Sequence, residues 1–223
     1  MQRVTPLRYV RPIQPVDFPS SAAEWEMPES KRHHRLCALL VEILRNAFKT
    51  RHNIGADQFV YYDASNPRRC LAPDAFIKLG TPDEDFASWK TWERGTPELC
   101  VEILSPSDSG EKLTWEQKLE GYHALGTREL VAFDIDAPVG ERLRVWDRVA
   151  EDLVERVVVN EQARCVSLGL DWVVVAADEQ PAALRLADHG VLLPTGEEAQ
   201  CAAKEAALLE VARLEKLLVE RSK

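Results

Sequence analysis

Residues 97–106 read Pro97-Glu98-Leu99-Cys100-Val101-Glu102-Ile103-Leu104-Ser105-Pro106. An apolar run closed by a Ser-Pro pair is the pattern of a buried β-strand ended by a turn. Side chains alternate across a strand, so Leu99, Val101 and Ile103 face one way and Cys100, Glu102 and Leu104 the other. Glu102 then stands in the middle of a buried face. A carboxylate there must be paired, protonated, exposed at a strand end, or bound to a cation.

A partner is available upstream. In "LAPDAFIKLG", Asp74 follows Pro73 at the start of another apolar strand. Two carboxylates on neighbouring strands make a hard-oxygen site suited to a divalent ion such as magnesium, to which the Ile103 carbonyl could add a ligand. Downstream, Trp115, Lys118, Tyr122 and Leu125 fall on one stripe of a predicted helix. A lysine among Trp, Tyr and Leu is out of place unless its amine reaches a site. The plainer alternative is two structural carboxylates at surface strand ends, paired with Arg68, Arg69 or Lys78.

Around these segments the chain predicts a mixed α/β architecture. The first two dozen residues carry Pro6, Pro12, Pro15 and Pro19 and read as an extended arm, residues 1–24. "PESKRHHRLCALLVEILRNAF" reads as an amphipathic helix near a Ser30 cap, with Leu36, Leu39, Leu40, Ile43, Leu44 and Ala47 on its apolar face. "DQFVYYD" and "CLAPDAFIKLG" read as strands, and "TPDEDFASWKTWERGT" as a long connection. "GEKLTWEQKLEGYHALG" is a helix closed by Gly126, "RELVAFD" a strand, and "ERLRVWDRV" with "DLVERVVVN" a hairpin. "SLGLDWVVVAA" and "ALRLADHGVLLPT" add short strands. A main domain over 25–195 follows, then a helix over 196–223. In that helix Ala207, Val211, Leu214 and Leu218 have the 4-3-4 spacing of a short coiled-coil seam, which would allow a homodimer; the alternative is a helix packed back on its own domain.

Composition narrows the class. The 223 residues are 45% apolar and 29% charged, with a formal net charge of −9. That acidity argues against a generic nucleic-acid coat but leaves room for a local basic groove. The first sixty residues carry a net +3, leaving −12 for the rest. Any nucleic-acid surface is therefore expected near the first helix, with Arg35, and near Arg68 and Arg69. The five cysteines are scattered, with no CxxC pair, so neither a zinc knuckle nor a disulfide framework is indicated. The start has no apolar signal segment, and "WVVVAA" is far too short to span a bilayer. The expectation is a cytoplasmic, reduced, soluble protein. Trp89 and Trp92 are candidates for base stacking or for pinning their loop, Glu42 for a first-helix carboxylate near a metal or for a solvated helix face, and His33 and His34 for phosphate or outer-shell contacts or for solvated residues at a helix start.

Three stretches in order, "APDAFIKLG", "PELCVEILSPSD" and "WEQKLEGYHALGTRELVAFD", resemble the PD-(D/E)XK nuclease superfamily. They are most similar to its Uma-type, restriction-endonuclease-like branch, over residues 25–150 or so. Pro73-Asp74, Glu102 through Pro106, and Lys118 with Tyr122 carry the likeness. His33 resembles the histidine that opens the first helix of that branch. The resemblance implies a restriction-endonuclease-like mixed β-sheet flanked by helices. It implies a magnesium- or manganese-type site on Asp74, Glu102 and Ile103, with Lys118 as a displaced catalytic lysine and Tyr122 and His33 in support. Leu104 occupies the position where the parent motif has its lysine, and Thr114 stands where many relatives have an Asp. The function implied is a metal-dependent endonuclease acting on DNA; the alternative is a nuclease-fold protein that binds nucleic acid or a protein partner without cutting.

Overall fold

The computed structural model describes residues 30–104, 113–177 and 180–221, with the side chains of 215 and 218–221 left aside. The proline-rich arm, the Ser105-Pro106 turn and the Leu218 side chain lie outside the described residues.

Helix α1 (Lys31–Phe48) starts where the sequence places it. The Ser30 side chain accepts the His33 amide, satisfying one of the first-turn donors. Its Leu36, Leu39, Leu40, Ile43 and Leu44 are buried, as the spacing predicts. Strand β1 (Asn53–Gly55) follows, then β2 (Val60–Tyr61) and β3 (Cys70–Leu71). The stretch predicted as one strand from Cys70 to Gly80 is two. Proline cannot continue a ladder, and β4 (Ala75–Lys78) begins only after Pro73-Asp74. The polar connection contains β5 (Trp89–Lys90) and a single turn, α2 (Thr91–Arg94).

Strand β6 (Leu99–Leu104) is the centre of the molecule. Helix α3 (Trp115–Leu125) carries the chain from it to β7 (Glu129–Asp134), which pairs with β6 in parallel, the arrangement that requires such a crossover. Gly126 closes α3 in the left-handed conformation, φ 84°. Strands β8 (Leu143–Val149) and β9 (Asp152–Arg156) form the expected hairpin. The six-stranded sheet runs β1-β4-β6-β7-β8-β9, antiparallel except at β6–β7. Strands β10 (Gln162–Cys165), β11 (Leu170–Ala177), β12 (Gln180–Asp188) and β13 (Val191–Leu192) form a second sheet, and β3-β2-β5 a third.

The alternation read from β6 holds. Leu99, Val101 and Ile103 pack with α1 and with Trp172, Leu184 and Leu186 of the second sheet, so α1 is enclosed between two sheets. Cys100 packs on the opposite face with Phe76, Trp89, Tyr122 and Leu125. Helix α4 (Gly196–Arg221) leaves from behind α1. Its root is fixed by buried Arg185, which donates to Glu198 at 2.7 Å, and by Thr195, whose hydroxyl accepts the Glu198 amide. No helix among the described residues is long and apolar enough to cross a membrane. The architecture is α/β, the helix-flanked mixed sheet of restriction-endonuclease-like proteins.

Candidate active site

Strand β4 begins one residue after Asp74, and Ala75 pairs with Val101. Continuing that antiparallel register brings Asp74 opposite Glu102. The Ile103 amide donates to Asp74 Oδ2 at 2.6 Å, so the carboxylate is held by backbone where β4 begins and β6 ends, in the interior of the sheet. His33 Nε2 stands 3.1 Å from Asp74 Oδ1, reaching down from the first turn of α1. Asp74 thus joins α1 to the sheet.

Glu102 is approached from α3. Lys118 Nζ donates to Glu102 Oε2 at 2.6 Å, and the Tyr122 hydroxyl donates to Oε1. Lys118 and Tyr122 are four residues apart, so one helical face delivers both donors to one carboxylate. Glu102 is 2% exposed, Asp74 6% and Lys118 9%. The lysine stem packs in the stripe with Tyr122 and Leu125, and only its amine has a polar partner to meet.

Burial pushes the Glu102 carboxyl up from its ordinary 4.5 to about 7. The Lys118 ammonium acts against that rise, and the nearby Asp74 carboxylate adds to it. The Tyr122 phenol is held well above its ordinary value, first by burial and then by Glu102. Two carboxylates in mutual repulsion inside a low-dielectric site, with one ammonium between protein layers, form a donor set that a divalent cation would relieve.

The remaining expectations divide. In an extended residue the N–H and C=O project to the same edge, so the Ile103 carbonyl faces the Asp74 side along with its amide. Neither carboxylate is held by Arg68, Arg69 or Lys78: Lys78 meets Glu98 at 2.5 Å, and Arg69 lies 3.7 Å from Asp63 and over the Tyr62 ring. Arg35, Arg68 and Arg69 are exposed. Thr114 caps α3. Its hydroxyl accepts the Gln117 amide while the Gln117 side chain accepts the Thr114 amide, so Thr114 fixes the helix one turn before Lys118. Trp89 is buried, stacked edge-on against Phe76 and Phe86, and pins its loop, whereas Trp92 is 41% exposed. His34 and Glu42 lie on the exposed side of α1. Cys37, which sequence reading passed over, brings its thiol to within 4.8 Å of the His33 and Asp74 donor atoms. The only sequence signal was its position four residues after His33.

Residues 24–177 match the Uma2 family, whose description is "Putative restriction endonuclease". No curated protein and no solved structure matches the chain. The matched segment runs from before α1 to the end of β11 and takes in Asp74, Glu102 and the α3 lysine. Well over half of the sequence lies within it, and the chain belongs to the Uma2 family.

Proposed function

We propose that the protein is a metal-dependent endonuclease that hydrolyses phosphodiester bonds, with DNA as substrate. The observation that carries this reading is the buried Glu102, faced by Asp74 across the strands and by Lys118 from α3. Lys118 meets Glu102 while His33 and the Ile103 amide meet Asp74, so the two buried carboxylates are turned toward one another with their outer contacts already fixed, a donor set that a divalent cation can join. Asp74, Glu102 and the Ile103 carbonyl are the residues that would hold magnesium or manganese. Such an ion polarises a phosphoryl oxygen and lowers the pKa of a water.

The chain's own groups have separable tasks. The Ile103 amide and His33 fix the orientation of Asp74. Tyr122 fixes that of Glu102. Lys118 supplies a fixed positive charge where negative charge grows on the phosphate, or holds the attacking water. Arg35, Arg68 and Arg69 are proposed to meet the nucleic-acid backbone. The exposed apolar residues of α4, Val211 and Leu214 among them, support pairing with a second copy.

The test is cleavage of plasmid and oligonucleotide DNA by the full chain with magnesium or manganese, beside Asp74→Ala. Metal-dependent cutting lost in the variant is expected. Absence of cutting by the unaltered chain on DNA, RNA and single strands with both metals would reject the enzyme and favour the non-cutting alternative. Calorimetric titration should find the metal bound far more weakly by Asp74→Ala; equal binding would reject the ligand assignment.

A further inference from the structure

We infer that His33, Cys37 and Asp74 form a second cation site, one that takes a thiophilic divalent ion of the zinc class and excludes the hard ion from the carboxylate pair. The inference rests on the proposed function only in sharing Asp74. Its three donors, an imidazole nitrogen, a thiol sulfur and a carboxylate oxygen, all lie within 4.8 Å of one another. Donors on one tetrahedral zinc ion stand roughly 3.3–3.8 Å apart, given zinc–ligand distances of roughly 2.0–2.3 Å. Small side-chain rotations would therefore close the set.

The fold holds these donors in place. His33 and Cys37 are one turn apart on α1, so both project from the same helical face. The Ser30 cap fixes the His33 backbone, and the Ile103 amide fixes Asp74 from the other side. His33 Nε2 stands 3.1 Å from Asp74 Oδ1, so the pair need open only slightly to reach the spacing of two ligands on one ion. Cys37 is buried, which shields a metal–sulfur bond from water.

The donor types decide which ion fits. Magnesium demands oxygen ligands and gives up its water reluctantly, whereas sulfur and imidazole favour zinc and its neighbours. The two sites draw on the same Asp74 carboxylate. An ion seated on Cys37 and His33 therefore competes with one seated against Glu102. A thiophilic ion would occupy the site without serving the proposed chemistry.

Cobalt(II) is the probe, because its bond to a thiolate gives an intense near-ultraviolet charge-transfer band. The host is the full chain carrying Cys201→Ser, which removes the exposed thiol. One equivalent of cobalt should produce the band. Cys37→Ser should abolish it, and His33→Gln should weaken cobalt binding at least tenfold. Excess magnesium should weaken the apparent cobalt affinity. No band, a band that survives Cys37→Ser, or unchanged affinity in His33→Gln would overturn the site; indifference to magnesium would overturn the competition. The readout needs no cleavage. A chain that shows the band but never cuts leaves this inference standing and rejects the nuclease, while one that cuts without the band does the reverse.

Discussion

Glu102 carries a testable pH signature. In the metal-free folded chain its carboxyl sits at about 7 against an ordinary 4.5. The folded state holds this proton more tightly than the unfolded state does. The associated stability is therefore complete below about pH 4.5 and is lost as pH rises through about 7. The loss is on the order of 3 kcal/mol. Thermal unfolding of the metal-free chain should show a falling midpoint across that window. Glu102→Gln should flatten the fall, and a slope unchanged in the variant would place its origin elsewhere. Lys118 gives a second test. Lys118→Met keeps the apolar stem against Tyr122 and removes only charge and donors. Cleavage should drop by roughly a hundredfold to a thousandfold. Metal binding should persist, because neither carboxylate is altered. A variant that cuts as well as the parent chain would remove Lys118 from the chemistry.

The elements differ in how openly the sequence announces them. The period of 3.6 in α1, the Ser30 cap and the Gly126 stop are local signals, and all three appear where local chemistry puts them. The alternation in β6 was equally plain, because one face had to bury Leu99, Val101 and Ile103 and the other exposed the anomaly at Glu102. The division of β3 from β4 was signalled by Pro73 and passed over, since the flanking apolar residues dominated the pattern. The β3-β2-β5 sheet rests on two-residue strands too short to carry a periodicity. The approach of Cys37 to Asp74 is a tertiary fact: it depends on where α1 lies over the sheet, which no local pattern encodes. One close packing tests the element scale. A Cβ on Gly55 would stand 2.0 Å from the Phe76 ring, which is enclosed between strand and Trp89. Gly55→Ala should destabilise by about 1–3 kcal/mol through overpacking. Denaturant unfolding would read it as a lower midpoint, and an unchanged midpoint would mean that Phe76 yields freely.

At the scale of the whole molecule, α4 is clamped at its root and exposed beyond it. Arg185 and Thr195 hold the first turn, and a Cβ on Gly196 would fall 1.7 Å from the Glu42 carboxylate of α1, so helix and body meet closely there. Past that turn Leu208, Leu209, Val211, Leu214 and Leu217 are exposed, at 60%, 73%, 52%, 50% and 44%. If two copies pair through this helix, Val211→Glu with Leu214→Glu should halve the mass seen by light scattering. A full-length chain already monomeric at high micromolar concentration would reject the pairing. At 26 residues, the helix reaches about 39 Å. If the chain is the endonuclease proposed above, an arm of that length, clamped at its root to the body, would govern how a duplex is broken. Two joined copies would then bring two cutting centres to one encounter, and a supercoiled plasmid would pass straight to the linear form. A chain acting alone would leave the plasmid as a nicked circle that must wait for a second visit. The time course of those two bands on a gel, compared between the parent chain and the double Glu variant, would tell whether the tail turns a single-strand cutter into a double-strand one.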